Sequence, residues 1–244
     1  GRWAQPYADA GHTVYLVDPK HPVPSDAYSN DTIWTIDKNV RKVSDTVRGF
    51  INLYKQGWFG DTTFDIILMA PPCDAMASSG ARWFADKDKD GRTEQGAQIV
   101  RDCLEAVELC KPKTWALENP VGRIARVVPE LGKWKLIFNP CDYAGFADEP
   151  HKEAYTKRTC IWGSFDPDLP TSNVDPIYYY KGGKRGSWQW ANLGGKSART
   201  KELRSNTPEG FARAFFRDND GWGSFFGGSF FGGWSCRGNP KSCK

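Results

Sequence analysis

Apolar positions in the first half of the chain fall into two spacings, and each spacing predicts an element. Trp3, Ala4, Tyr7 and Ala8 recur at helical intervals up to Gly11, a residue type that closes helices because it tolerates a left-handed backbone. The run Val14-Tyr15-Leu16-Val17 then reads as a buried strand ending at Asp18. A loop rich in Pro and Ser covers 19–29, and Ile33-Trp34-Thr35-Ile36 predicts a second strand ending at Asp37. Val40, Val43, Val47, Phe50, Ile51 and Tyr54 return to helical spacing, which predicts a helix from 40 onward. Phe64-Asp65-Ile66-Ile67-Leu68-Met69 is a third strand, stopped by Pro71-Pro72. Ile99, Val100, Cys103, Leu104, Val107 and Cys110 line one face of a long helix closed by Pro112, and Trp115-Ala116-Leu117 is a fourth strand. Helix and strand alternate, so the pattern predicts an α/β fold: a parallel sheet with helices on both faces.

Beyond residue 120 the pattern loosens. Leu136-Ile137-Phe138 and Thr159-Cys160-Ile161-Trp162 predict short strands, and 166–195 is Pro/Gly-rich with little periodicity. Thr207-Pro208-Glu209 predicts a helix start, with Thr207 as N-cap, Pro208 at the first helical position and an acid in the first turn. Phe211, Ala212 and Phe215 then share a face. From 221 a tandem Gly/Phe repeat lacks the periodicity of an ordinary core element. This organisation divides the chain into a core at 1–165, a small irregular lobe at 166–203, a returning helix at 204–220 and a tail at 221–244. Doubly wound sheets open on a strand and a Gly-rich turn, whereas this chain opens on a helix. The expectation is a core without its first strand, with Gly1 where the last glycine of that turn would stand.

Composition narrows the class. At 244 residues, 39% hydrophobic, the chain has room for one α/β domain with an appendage. No apolar run approaches the ~18 residues of a membrane span, and residues 1–6 lack the regions of a signal peptide. Seven cysteines without a C-x-x-C pair argue against a disulfide framework and a zinc cluster, so a reducing, cytoplasmic setting with neither membrane nor metal is expected. His12, His21 and His151 are isolated. Residues 86–91, Asp-Lys-Asp-Lys-Asp-Gly, have the opening of a calcium loop, but its twelfth position is Ala97 rather than Glu.

The net charge of +4 is unevenly placed. Nine basic residues face two acidic ones in 181–217, a local charge of +7, while the remaining 24 basic and 27 acidic residues sum to −3. Lys184, Arg185 and their basic neighbours are interleaved with Trp188 and Trp190 and preceded by Tyr178-Tyr179-Tyr180. Cations among aromatic rings suit a phosphate-binding, base-contacting surface; a solvated loop is the alternative.

In open α/β sheets ligands bind beyond the carboxyl ends of the strands, which singles out Asp18, Asp37, Cys73 and Glu118. Carboxylates at Asp18 and Asp37 suit the ribose hydroxyls and the adenine amine of a nucleoside, with turn formation the alternative for each. Pro71 and Pro72 stiffen the backbone before Cys73, and Glu118-Asn119-Pro120 ends the next strand at the same edge. A thiolate and a carboxylic acid held together can add to an electron-poor ring and protonate its nitrogen. Such a thiol needs an electropositive field, for which Arg82, Lys157 and Arg158 are candidates.

Pro71-Pro72-Cys73, Glu118-Asn119-Pro120 and Tyr155-Thr156-Lys157-Arg158-Thr159, in that order, resemble motifs of the cytosine-C5 DNA methyltransferases, particularly the compact phage-encoded type. Ser79-Gly80-Ala81-Arg82-Trp83-Phe84 and the segment 204–213 extend the resemblance, which spans roughly 1–217. It implies a Rossmann-like sheet that binds S-adenosylmethionine, and double-stranded DNA as partner of a monomer. It also implies base flipping, with Cys73 attacking C6 of cytosine, Glu118 contacting N3 and the exocyclic amine, and Arg158 steadying the base. By the same resemblance Gly1, Asp18, Asp37 and Pro71 belong to the cofactor site, and Pro72, Asn119, Pro120, Arg82, Lys157, Lys184 and Arg185 to the DNA. Asp74-Ala75-Met76 follows Cys73 where the family has Gln or Thr and an aromatic residue. The short, basic 166–204 segment predicts strong backbone contact and relaxed sequence specificity. The alternative expectation is a catalytically inactive DNA-binding protein of the same fold.

Overall fold

A computed structural model describes residues 1–22, 33–192 and 197–220. Part of the 19–29 loop, Lys196 and the Gly/Phe tail with Cys236 and Cys243 lie outside the described residues.

The chain runs through α1 (Gln5–Asp9), β1 (Val14–Val17), β2 (Ile33–Asp37), β3 (Val40–Val43), α2 (Val47–Lys55) and β4 (Ile66–Met69). It continues through α3 (Phe84–Lys89), α4 (Arg92–Cys110), β5 (Thr114–Pro120), α5 (Ile124–Val127), β6 (Leu136–Phe138), α6 (Pro150–Glu153) and β7 (Thr159–Ser164). The last elements are β8 (Tyr179–Lys181), β9 (Lys184–Gly186), α7 (Trp188–Asn192), α8 (Ala198–Ser205) and α9 (Glu209–Asn219).

The predicted all-parallel sheet is corrected to mixed sheets within an α/β fold. One has the order β1-β3-β2, a second β4-β5-β7-β6, and β8-β9 is a separate hairpin. β1 pairs parallel with β3 and β4 parallel with β5, but β2, β6 and β7 run antiparallel to their neighbours. The predicted helix at 40–54 is likewise corrected. Val40–Val43 is the central strand of its sheet, and the helix starts only at Val47, where the Thr46 hydroxyl accepts the Gly49 N–H at 3.0 Å. Two β-branched residues separated by Arg41 and Lys42 suit a strand held by ladders on both sides, and Thr46 supplies the helix cap.

Helices cover both faces of the β4-β5-β7-β6 sheet. Alternation along β5 sends Ala116 to a core with Trp3, Phe138, Ile161, Phe211 and Phe215, under α9. It sends Leu117 to a core with Met69, Val100, Cys103, Cys160 and Trp162, under α4 and α5. A third cluster of Val43, Phe50, Ile51, Phe59 and Ala106 seats α2 between the β1-β3-β2 sheet and α4. The N-terminal turn docks on α9 through Trp3 against Phe211 and Phe215, with Tyr7 donating from its hydroxyl to the Asn219 carbonyl at 3.1 Å. Among the described residues no helix is long and apolar enough to cross a membrane, and no group of three His, Cys, Asp or Glu residues is placed to hold a metal ion.

Candidate active site

Parallel pairing of β4 with β5 matches Met69 to Leu117, so Pro71-Pro72-Cys73, beyond the end of β4, come to the same edge as Glu118-Asn119-Pro120, the last residues of β5, which stay paired with β7. Asn119 ties the two together, its side-chain N–H donating to the Pro71 carbonyl at 3.2 Å. The other side-chain atom, Asn119 Oδ1, is buried with no hydrogen-bond partner. An orphaned acceptor at a sheet edge is a position that a ligand donor can satisfy.

The loop that carries Cys73 is pinned along its length. Met76 is fully buried, and its carbonyl accepts the Arg123 N–H at 2.9 Å. Ser78 N–H donates to the Val121 carbonyl at 3.0 Å, and a Cβ at Gly122 would stand 2.0 Å from the Met76 carbonyl oxygen, so glycine is required for this approach. Two buried cations complete the hold. Lys87 Nζ donates to the Asp74 carbonyl at 2.5 Å, and Arg123 Nε to the Ala75 carbonyl at 3.2 Å. Arg123 is itself oriented by Asp88, by the Thr93 hydroxyl and by the Phe84 ring, 3.8 Å beneath its guanidinium. The 86–91 acids therefore lie on and after a helix, where Asp88 serves Arg123 and Asp90 binds Arg92.

Electrostatics single out three groups. Burial pushes the Cys73 thiol above its ordinary pKa, Lys157 opposes the rise, and Glu118 and Asp74 add to it. Burial also raises the Glu118 carboxyl, against Lys157 and a hydrogen bond from the Thr207 hydroxyl at 2.8 Å. Thus Cys73, Glu118 and Lys157 share one field, with the acid kept neutral to higher pH than usual. Lys157 Nζ also reaches the Arg204 carbonyl at 3.5 Å.

The predicted N-cap role of Thr207 is corrected. Pro208 is the N-cap of α9 and caps no N–H, while Thr207 turns its hydroxyl to Glu118. The first N–H groups of α9, those of Glu209 and Gly210, are taken by the buried Glu153 carboxylate at 2.6 and 2.9 Å. Neither Glu153 nor the Thr207–Glu118 bond could be anticipated from local spacing, because the partners lie 56 and 89 residues apart.

Arg158 is placed elsewhere. It lines a cavity with Cys160 and Trp162, whose side chains lie in the core beneath α4 and α5, whereas Thr207 approaches Glu118 from the α9 side. Lys157, not Arg158, acts on Cys73 and Glu118. Arg82 sits on an exposed turn with its guanidinium 5.2 Å from the Trp83 ring. Pro72 is exposed, while Pro71 is buried and Pro120 half-buried.

At the β1-β3 edge, parallel pairing of Val17 with Val43 brings out Asp18 and, two residues after Val43, Asp45. Asp37 is corrected: its strand is antiparallel and it pairs with Val40, so it lies at the opposite edge of that sheet. Asp45, which the sequence reading missed inside its supposed helix, is the second strand-end acid at the Asp18 edge. Asp18 accepts the Lys20 N–H at 2.8 Å, a turn bond, and lies within electrostatic reach of the Gly1 amino group and of His21. His21 Nε2 is buried without a hydrogen-bond partner, and its carbonyl accepts from Ser44 Oγ at 2.9 Å.

The 179–186 hairpin and α7 form a basic, aromatic lobe. Arg185 stacks 4.1 Å from the Tyr178 ring, Lys184 is exposed beside it, and Tyr178, Tyr180 and Trp190 are all exposed. The lobe is fastened next to the site, Gln189 donating at 2.8 Å to the hydroxyl of Tyr155, a ring close enough to feel the Glu118 charge. Neither a family model nor a curated protein sequence matches the chain.

Proposed function

We propose that the chain is a DNA cytosine-5 methyltransferase with a Rossmann-like core, acting as a monomer on double-stranded DNA in the cytoplasm of a bacterial or phage-infected cell. The carrying observation is that a thiol on a pinned loop, a buried acid whose pKa burial raises and a lysine share one sheet edge. Cytosine is inert to electrophiles at C5 until a nucleophile adds at C6, and this edge holds the groups for that addition. Cys73 Sγ, as thiolate, forms the bond to C6 of a flipped cytosine. Glu118, whose burial favours its protonated form, gives its proton to N3 as charge develops there. Thr207 holds the carboxyl in place, and Lys157 favours the thiolate. After methyl transfer, loss of the C5 proton to a water molecule returns its bonding pair to the ring and expels Cys73 as thiolate from C6, and Glu118 recovers the N3 proton. The exposed Tyr178, Tyr180, Trp190, Lys184 and Arg185 suit the phosphates and bases beside the flipped nucleotide.

S-adenosylmethionine is the cofactor this reading implies, and when bound it supplies an electrophilic methyl group. What supports an adenosine-bearing ligand at the β1-β3 edge is that Asp18 and Asp45 follow its two parallel strands and that His21 Nε2 is a buried polar atom in want of a partner, although Asp45 also accepts the Thr46 N–H at 2.7 Å. Asp18 and Asp45 are the residues that would accept from its hydroxyls and amine.

The test is a covalent trap. With 5-fluorocytosine DNA and S-adenosylmethionine, the chain forms an adduct stable to denaturation, and Cys73→Ser forms none. Salt-sensitive, reversible DNA binding with no adduct would instead mark an inactive DNA-binding protein.

A further inference from the structure

A second feature of the β5-β7-β6 region remains outside this chemistry. On the face covered by α4 and α5, a cavity of about 100 Å³ is lined by Val121, Ile124, Ile137, Trp134, Trp162 and Arg158, with Cys160 at its floor. Its walls are apolar and aromatic, and its one charge is the guanidinium of an exposed residue. Trp162 is locked by donating from Nε1 to the Gly132 carbonyl at 3.0 Å. Trp134 packs edge-on against it at 6.3 Å and still leaves 40% of its surface exposed.

Lys133 precedes Trp134 in the chain, and neither it nor Arg158 makes an ion pair among the described residues, while Lys135 turns to the α9 side with its Nζ 5.7 Å over the Phe165 ring. Glu130, the acid nearest in sequence, is already taken by Arg101 at 2.8 Å. An enclosed apolar cavity of about 150 Å³ holds a whole benzene ring. An open one of about 100 Å³ therefore takes one flat ring partway and leaves its substituents at the mouth, where Arg158 stands.

We propose that this cavity, with Trp134 and Lys133 beside it in the chain, forms a single-stranded DNA subsite, in which an unpaired base stacks on Trp134 and enters the cavity while its phosphates bind Arg158 and Lys133. A ring face with a phosphate attached matches each feature: aromatic stacking, apolar walls and a planar guanidinium for the anion. The apolar walls offer little to base edges, so binding tolerates any base. The site does not depend on methyl transfer and would stand if that reading failed.

The experiment uses the full chain as its Cys73→Ser variant, without cofactor, so that no covalent step contributes. Fluorescein-labelled (dT)15 binding is followed by anisotropy, and an oligonucleotide carrying 5-iodouracil is photocrosslinked and mapped by mass spectrometry. The expected result is a crosslink at Trp134. Trp134→Ala weakens binding about 5- to 150-fold, the loss of one base–aromatic stack. Arg158→Gln flattens the salt dependence by about 0.7 in log–log slope, one phosphate contact on a single strand. Arg158→Gln should keep the parent melting temperature because Arg158 is exposed, and Trp134→Ala, which also loses its edge contact with Trp162, is assayed below its own melting transition. Crosslinks confined to the 178–190 lobe, or unchanged binding in both variants, would overturn the proposal. Binding of dTMP in the cavity without measurable binding of (dT)15 would overturn the assignment to a strand.

Discussion

Two buried glutamates flank the start of α9, and they are served very differently. Glu153 is matched by two backbone N–H groups at 2.6 and 2.9 Å, which are the otherwise unpaired donors of that helix. Glu118 receives one hydroxyl, from Thr207, and the more distant charge of Lys157. Burial raises the pKa of both. The well-partnered acid acts as a cap that joins α6 to α9. The thinly partnered one is held ready to exchange a proton, at a cost in stability that folding alone gives no reason to bear.

The largest effect should come from replacing the reactive acid. Glu118→Gln lowers methyl transfer by about 10²- to 10⁴-fold, the contribution of a positioned general acid. The same change should leave the protein as stable or up to about 2 kcal/mol more stable at pH 8, because a neutral amide removes the cost, at high pH, of a carboxyl whose pKa folding raises. A Glu118→Gln variant that melts earlier and transfers methyl normally would reverse the roles assigned to the two acids.

Glu153→Ala should do the opposite, costing about 1–3 kcal/mol of unfolding free energy by leaving the Glu209 and Gly210 N–H groups unpaired. Its residual activity, measured below its melting transition, should exceed that of Glu118→Gln. Denaturant titration and single-turnover methylation on the same samples separate the two outcomes.

Stability against pH tests the acids jointly. Because folding raises both pKa values, the stability they contribute is complete below the ordinary carboxylate range and is lost as pH rises through the folded values. Thermal melts should therefore fall over that window, and fall less in Glu118→Gln. Activity has the reverse slope on its thiol limb, since Cys73 must ionise from a raised pKa. Lys157→Gln removes the cation that opposes the rise, so the limb should move to higher pH; an unmoved profile would detach Lys157 from the thiol.

The smallest expected change is Thr207→Val. It deletes one donor to Glu118 and should cost about 0.5–1.5 kcal/mol while extending the acid limb of the rate profile upward.

Much of this arrangement was legible as local pattern. The strands that periodicity and Pro punctuation place at 14–17, 64–69 and 115–117 stand at 14–17, 66–69 and 114–120, the long helix ends before Pro112, and Cys73 lies past β4 while Glu118 lies within the last residues of β5. Val40–Val43 was misread because its two valines also fit helical spacing, and Asp45 was lost inside that supposed helix. The capping trio Ser44-Asp45-Thr46 was the available signal.

Residue order therefore determined that the chain alternates helix with strand and that a thiol and an acid end two of its strands. Short-range periodicity records which side of an element is buried, and that information is local. Only the tertiary structure decided that β2 runs backward and carries Asp37 away from Asp18, and that the charge of Lys157 reaches Cys73 while Arg158 lines a separate cavity. It also decided that Thr207 serves an acid 89 residues away instead of its own helix. Strand direction and side-chain partnership are settled by hydrogen bonds and burial between distant segments, for which neighbouring residues carry no record.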